Sequence, residues 1–364
     1  MPQEPPAGKI QTVTGPIEPD QLGVTLFGDM LFHDLGLFRQ PPAEASARDQ
    51  YFAPVTQETL SNSRHYGMRN ANLIRLGNVK DAIEGAMLFK QWGGQTIMDG
   101  AGINMGRDPI ALARVARATG LNIIMGGSYY AVRSHPANMD DRSEDDLLKK
   151  LVTDIVEGVD GTGIKVGIMG ETGLTAPTAP NEIKVLRATG RAHLETGCPI
   201  IIHPGENDEL PIEHIDLLTS LDVPLKHVVM AHVSTMSDDT LMTLLTAGCY
   251  VRYEMGGDDA ARSPYTMTYS GTNEDATRKL QRVAPADGEQ IMKIIELIEK
   301  GYGDKIVVSS DINSSARLTV NGGHGYQYML ANVIPRMQAS GMTQEAIDNI
   351  FIKNPQKALT YAKS

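Results

Sequence analysis

The sequence predicts a (β/α)8 barrel, an α/β fold in which eight parallel strands alternate with helices. Eight short apolar runs recur along the 364 residues, and each is followed by an amphipathic stretch of helical length. The runs are too apolar to alternate, which is typical of parallel strands that are covered on both faces. They are Val24–Phe27, Thr96–Asp99, Asn122–Gly126, Val166–Gly170, Pro199–His203, His227–His232, Cys249–Tyr253 and Lys305–Ser310.

Start signals mark several of the intervening helices. Asp108 followed by Pro109 is a capping residue with proline at the first helical position. Ser143 precedes an acidic first turn, while Pro180 and Asp287 open two further helices. Strands alternating with helices and no sustained linker favour a closed barrel over an open sheet.

We therefore predict one barrel domain over residues 1–364. The long interval 35–80 after the first strand is expected to be an inserted lid over the ligand-binding face, and helices within 324–361 are expected to close the outer ring. Because barrel loops carry specificity, substrate selection is expected from segments 35–80 and 256–285.

Composition restricts the partners. A formal charge of -11 without a basic cluster argues against a nucleic-acid surface, and no apolar run is long enough to span a bilayer. Two cysteines, Cys198 and Cys249, stand beside apolar runs and are expected to be reduced, as in a cytoplasmic protein. The glycines in residues 100–106 lack the spacing of a dinucleotide-binding motif, so no organic cofactor is expected. The expected partner is a small-molecule substrate.

Four metal-competent side chains stand at the carboxyl ends of four predicted strands. They are Glu171, His203, His232 and Asp311. Barrel enzymes take their catalytic side chains from these strand ends. Any one of the four could cap a loop, but the shared position favours a metal site. Imidazole and carboxylate suit Zn²⁺, with Mn²⁺ or Co²⁺ as alternatives.

The chain resembles the phosphotriesterase-related family of the amidohydrolase superfamily over essentially its whole length. The matching stretches are Gly15-Pro16-Ile17, Leu22-Gly23-Val24-Thr25-Leu26, Gly106-Arg107-Asp108-Pro109, Gly161-Thr162-Gly163-Ile164-Lys165, Gly170-Glu171-Thr172-Gly173, Ile202-His203-Pro204-Gly205 and Gly322-Gly323-His324-Gly325-Tyr326.

This resemblance implies a binuclear metal centre with a bridging water. Glu171 would be the bridging carboxylate, His203 and His232 would bind the more exposed metal, and Asp311 would orient and deprotonate the attacking water. The resemblance also leaves a homodimer as an option for the oligomeric state.

The first strand departs from this pattern. Gly28, Asp29 and Met30 stand where the family has a His-x-His pair, so both ligands of the buried metal are missing. Asp29 should point away from the barrel axis, and His33 could substitute only if the chain bent back. One metal is therefore expected instead of two. Space left beside Gly28 and Met30 would admit a substrate group, and histidines at both positions should raise the metal content towards two.

Further substrate-binding residues are expected around the pocket. Tyr129 and Tyr130 follow the third strand, where they line the pocket or pack at the edge of the core. Arg317 and His324 follow the last strand, where barrels often bind anions. The turn that precedes Tyr326 either offers N–H groups to an anion or is a tight connection into a helix.

Three functions stay open from the sequence. The first is a hydrolase of a small carboxylic ester, lactone or amide, with water activated by a single metal and Asp311 as base. The second is a lyase or isomerase on the same scaffold, with or without metal. The third is a non-catalytic protein that binds a metabolite. Phosphotriester cleavage is less favoured, because such sites usually clamp both oxygens between two metals.

Overall fold

A computed structural model describes residues 4–38, 45–59, 70–205, 207–256 and 285–363 of the chain. These residues contain the eight predicted strands, and each strand begins within three residues of its predicted start. The strands are Thr25–Phe27 (β1), Thr96–Asp99 (β2), Asn122–Met125 (β3), Met169–Gly173 (β4), Ile200–His203 (β5), Val228–Met230 (β6), Tyr250–Glu254 (β7) and Ile306–Ser309 (β8).

The strands pair in parallel and in chain order, which makes the fold a (β/α)8 barrel. β1, β2 and β3 form one continuous ladder, and β4 to β8 form another. A parallel bridge between Gly126 and Ile168 joins the two ladders. On the other side, the carboxylate of Asp29 accepts hydrogen bonds from the backbone N–H groups of Ser310 (3.1 Å) and Ile312 (2.9 Å). This buried carboxylate connects the first strand to the last.

One residue from each strand, or from the position just before it, fills the barrel interior. These side chains form a buried apolar cluster, as expected for a barrel core without a central pore. They are Phe27, Met98, Ile124, Ile168, Ile201, Val229, Tyr250 and Val307.

Helices follow the strands and cover the barrel from outside. Their starts agree with the sequence signals: Asp108 caps one helix by accepting from Ala111 N at 2.9 Å, and Ser143 caps another by accepting from Asp146 N at 3.1 Å. The helices are Val79–Gln91 (α1), Pro109–Thr119 (α2), Glu144–Val156 (α3), Pro180–Thr196 (α4), Leu210–Ser220 (α5), Asp238–Thr246 (α6), Asp287–Glu299 (α7) and Ile334–Ala339 (α8).

The chain beyond β8 is less regular than predicted. A π-helical turn, Met329–Val333, precedes α8, and a second one, Asn349–Lys353, separates Gln344–Asp348 from Asn354–Leu359. Helix therefore begins later than the expected residue 324, because the glycine-rich segment before it forms 3-10 turns and loops.

The expected lid over 35–80 is described only in part, since 39–44 and 60–69 lie outside the described residues. A two-stranded antiparallel ladder pairs His33–Asp34 with Arg75–Leu76 and brings the ends of the segment together. A helix, Ala45–Tyr51, lies between them. Of the other expected specificity segment, residues 257–284 also lie outside the described residues.

Candidate active site

One pocket lies at the carboxyl ends of the barrel strands. Glu171, His203, His232 and Asp311 all line it, together with Met30. The pocket has a cavity volume of about 30 Å³, whereas a single buried water requires roughly 15 Å³. The inner end of the pocket therefore accommodates a small reacting group and not a bulky one.

Three of these side chains form a compact set of donor atoms. One ligand atom from each of Glu171, His203 and His232 lies within 4.8 Å of the other two. Glu171 belongs to β4, His203 ends β5, and His232 follows β6. Neighbouring parallel strands end at the same edge of a sheet, so residues that are distant in sequence meet here.

The two histidine rings of this set pack edge to face, with their centroids 4.4 Å apart. Burial lowers the pKa of His203 well below its usual range, and the neighbouring His232 and Arg252 lower it further. His203 is consequently neutral at pH 7, and neutral imidazole is the form that binds a metal ion.

Glu254 holds His232 in place from the end of β7. The backbone N–H of His232 donates to Oε1 of Glu254 at 2.9 Å, and Nδ1 of the ring lies 3.6 Å from Oε2. His232 itself has a left-handed backbone with φ of 56°. A carboxylate beside the second nitrogen of a ligand histidine fixes the orientation of the ring.

Asp311 follows β8 and faces the same pocket. Its Oδ2 accepts hydrogen bonds from Nδ2 of Asn313 (3.1 Å) and from Nη1 of Arg317 (3.3 Å). The Arg317 guanidinium also donates to the backbone carbonyl of Asp311. These contacts fix the carboxylate on the wall of the pocket.

The donor set fits a divalent cation. Two imidazoles and one carboxylate are a frequent ligand set for catalytic Zn²⁺, which keeps one position open. Oε1 of Glu171 is buried and accepts no hydrogen bond of good geometry from the described residues. The described part of the chain contains no second cluster of this kind.

The residues around the first strand do not extend this set. Met30 lines the pocket, whereas Asp29 is buried against β8 and does not. His33 also lines the pocket, but its Nδ1 hydrogen-bonds to the carbonyl of Asn313 at 2.9 Å, and it lies outside the donor cluster. The structure therefore brings together a single three-residue set.

The sequence interpretation missed Arg252, which is completely buried on β7. Nη2 of Arg252 lies 2.6 Å from Oε1 of Glu171, and Nε donates to Oε1 of Glu254 at 2.6 Å. A Cβ atom placed on Gly28 would lie 2.0 Å from Nη1 of Arg252. The space expected beside Gly28 for a substrate group is thus filled by a guanidinium.

A signal for both missed residues was present in the sequence. Arg252 lies in the predicted strand Cys249–Tyr253, which is otherwise apolar or aromatic, and Glu254 follows that strand two positions after Arg252. Strand side chains two apart share a face, so both charged groups had to point to the same side of the barrel wall.

The structure separates the two expected tyrosines. Tyr130 lines the pocket, and its ring centroid lies 5.0 Å from that of His203. Tyr129 is buried outside the pocket wall, where its hydroxyl accepts a hydrogen bond from Nη1 of Arg142 at 3.0 Å. Burial raises the pKa of Tyr129, as expected for a tyrosine that packs in the core.

The expected anion site after β8 has a different arrangement. Arg317 contacts Asp311, and His324 is packed against Tyr328 instead of lining the pocket. The N–H groups of Gly323 and Gly325 donate to carbonyls of the same loop. Of the two interpretations of this turn, the tight connection into a helix is therefore the one that the geometry matches.

Comparisons with known proteins agree with this geometry. The phosphotriesterase family model matches residues 8–359. The chain belongs to the phosphotriesterase family. It is 34% identical over 359 residues to an N-acetyltaurine hydrolase of Xenopus tropicalis, with 98% of this chain and 99% of that protein covered. A phosphotriesterase-related protein of Nematostella vectensis is 33% identical over 360 residues, with 98% and 99% covered.

A solved structure is also similar. A resiniferatoxin-binding protein from Rhodobacter sphaeroides superimposes with a TM-score of 0.89 at 29% identity, covering 99% of this chain and 98% of that one. Family membership and the hydrolases among the relatives place this chain among the hydrolases. No helix in the described ranges is both long and apolar enough to cross a membrane.

Proposed function

We propose that this protein hydrolyses the amide bond of a small N-acyl compound, with one divalent cation at Glu171, His203 and His232 and with Asp311 as general base. The convergence of these four side chains on one pocket is the observation that carries the proposal. Relatives named N-acetyltaurine hydrolase support an amide over an ester or lactone. Zn²⁺ is the proposed metal, with Mn²⁺ or Co²⁺ as alternatives.

The bound cation would polarise the scissile carbonyl and lower the pKa of a water molecule. Asp311 accepts the proton of the attacking water and passes it to the nitrogen of the leaving amine. Asn313 and Arg317 hold the Asp311 carboxylate through both transfers. Neutral His203 keeps its lone pair for the cation at pH 7.

The shape of the inner pocket favours a small acyl group. Met30, Leu35 and Met105 supply apolar walls, and the cavity volume of about 30 Å³ favours a small group there. The amine portion would extend towards the mouth of the pocket. We propose an N-acetyl amide of a small polar amine as the substrate class.

Release of free amine from N-acetyltaurine and from a panel of N-acetylated amines tests this proposal. Turnover should disappear with a chelator and return with Zn²⁺ or Co²⁺. Metal analysis of gently purified protein should give about one ion per chain. Turnover that survives complete metal removal would contradict the proposal and favour lyase or isomerase chemistry.

The variant His203→Gln should lose both metal and turnover, because it removes one ligand of the set. The matched control is His214→Gln, since His214 is a buried histidine of α5 outside the pocket. Equal loss in both variants would indicate a general effect on folding and would remove support for the ligand assignment.

A binding function is the second candidate, and one observation favours it. The resiniferatoxin-binding protein is similar in structure over nearly the whole chain. Under this alternative, the protein binds a metabolite in the pocket without converting it. Calorimetric binding of N-acyl compounds with no amine release over long incubation would support this function.

A further inference from the structure

Arg252 is the most unusual side chain of the described residues, because a guanidinium is completely buried beside candidate metal ligands. It contacts Glu171 at 2.6 Å through Nη2 and Glu254 at 2.6 Å through Nε. The same Nη2 lies 3.4 Å from Nε2 of His232. Arg252 therefore touches two of the three residues of the donor set.

Gly28 makes this position available. Its φ of +124° is a conformation that side chains rarely adopt, and a Cβ atom there would lie 2.0 Å from Nη1 and 2.8 Å from Cζ of Arg252. Nη1 also lies 3.5 Å from the carbonyl of Phe27. Any residue larger than glycine at position 28 would displace the guanidinium. Gly28 and Arg252 are thus two parts of one arrangement.

We propose that Arg252 acts as a fixed internal cation in the inner half of the site, and that it limits the site to one divalent ion and orients Glu171. The proposal rests on the proposed function, in that Glu171, His203 and His232 bind the ion. Arg252 is a positioning residue, because it acts through Glu171 and Glu254.

The charges around the site favour this arrangement. Four carboxylates and two guanidinium groups interact around the site and leave two formal negative charges. They belong to Glu171, Glu254, Asp311, Asp29, Arg252 and Arg317. One divalent ion balances these charges, and a second ion would add two uncompensated positive charges in a poorly solvated interior, where like charges repel strongly.

Arg252 also keeps its charge under all ordinary conditions. An arginine side chain stays protonated at any ordinary pH, and the carboxylates of Glu171 and Glu254 both lie 2.6 Å from this one. A guanidinium cannot leave the site as a metal ion can, and it offers several donors in a fixed plane. Its contact with Glu171 is an ion pair without good hydrogen-bond alignment. Oε1 of Glu171 can therefore still bind the single divalent ion.

The unmodified protein provides the first test. Crystals equilibrated with Co²⁺ should show one anomalous peak beside Glu171, His203 and His232, with Arg252 still against Glu171 and Gly28. A second ion in the inner half of the site, or a guanidinium withdrawn from Glu171, would overturn the inference.

Turnover of N-acetyl amines by the same preparation tests the proposed function separately. Turnover with two ions would keep the function and overturn the inference. If the crystals show one ion with Arg252 still against Glu171, but the protein does not hydrolyse N-acetyl amines, the inference holds and the proposed function is wrong.

A variant series provides the second test. Arg252→Met leaves Glu171 and Glu254 buried without their cation, so a divalent ion becomes their main counter-charge. We expect Co²⁺ to bind at least tenfold more tightly to this variant and to raise its Tm by several degrees more than that of the unmodified protein. Arg252→Lys keeps the charge and should restore the weaker Co²⁺ response.

Arg107→Met is the matched control, since Arg107 pairs with Asp154 in another buried part of the barrel. It should lose stability without any change in Co²⁺ affinity. Identical Co²⁺ affinity and Tm response in Arg252→Met and the unmodified protein would overturn the inference. If Arg252→Met does not fold even with Co²⁺, the number of ions in crystals of the unmodified protein and the position of Arg252 there decide whether the inference holds.

Discussion

At the scale of single residues, the geometry of the site depends on side chains that stand behind the candidate ligands. Glu254 contacts the backbone and ring of His232 and also Arg252. Gly28 provides the space for the Arg252 guanidinium. Glu254 acts through His232 and Arg252, which explains why ligand spacing alone did not reveal it.

Glu254→Gln should weaken metal binding by about tenfold, because a neutral amide holds the His232 ring less firmly than a carboxylate does. Competition with a chromophoric chelator measures the affinity. Glu213→Gln, an exposed position of α5, is the control and should leave the affinity unchanged. An unchanged affinity in Glu254→Gln would mean that Glu254 does not orient the ligand.

Restoring histidines on the first strand should not give a second metal site while Arg252 is present. This corrects the expectation from the sequence, because a side chain at position 28 collides with the guanidinium and meets a φ of +124°. Plasma mass spectrometry should find no more than one ion per chain in Gly28→His with Met30→His. Adding Arg252→Ala to that pair should allow a second ion. Two ions per chain in the double variant that retains Arg252 would show that the guanidinium moves aside readily.

At the scale of elements, buried carboxylates hold the loop after β1. Asp99 at the end of β2 accepts hydrogen bonds from the N–H groups of Leu31 (2.8 Å), Phe32 (3.3 Å) and Ala101 (2.9 Å). Asp29 connects the same loop to the residues after β8. The position of Met30 on the pocket wall is therefore set by two carboxylates that never reach the substrate.

Asp99→Ala should lower the free energy of unfolding by about 3 kcal/mol or more, since three buried N–H groups would lose their acceptor. Denaturant titration followed by circular dichroism measures this change. Asp216→Ala, at an exposed position of α5, should change stability by less than about 0.5 kcal/mol. A similar small change in Asp99→Ala would mean that water or a shifted loop replaces the carboxylate.

At the scale of the whole molecule, the barrel packs several histidines away from water. Burial lowers the pKa values of His214 and His227 from 6.5 to about 4. The unfolded chain binds protons at these residues as the pH falls below about 6.5, whereas the folded chain binds them only near pH 4. Stability is therefore lost progressively as the pH falls through that window.

For His214 alone, the loss at pH 5 should be roughly 2 kcal/mol relative to pH 7. His214→Gln should remove that part of the pH dependence, because glutamine does not titrate and keeps a polar group for Thr178, whose hydroxyl lies 3.0 Å from Nε2. Urea titrations at pH 7, 6 and 5 compare the two proteins. Equal slopes of stability against pH in both would show that His214 does not contribute.

Much of the fold could be predicted from periodicity and capping signals alone. The eight strands and most helix starts agree with the structure, because buried parallel strands and capped helices are encoded locally. Four side chains meet at one pocket because each lies near the carboxyl end of a strand of one barrel. They are Glu171, His203, His232 and Asp311. The homodimer and the cytoplasmic location remain predictions.

The sequence by itself determined the barrel, the family resemblance and the candidate ligands at the strand ends, because each depends on residue type and spacing along the chain. Only the tertiary structure decided what fills the space beside Gly28. Arg252 reaches that space from β7, which is far from β1 in sequence and lies beside β8, next to β1, only when the barrel closes. The same closure excluded Tyr129 and His324 from the pocket wall. Contacts across a closed barrel depend on the packing of the whole chain, and local patterns do not encode them.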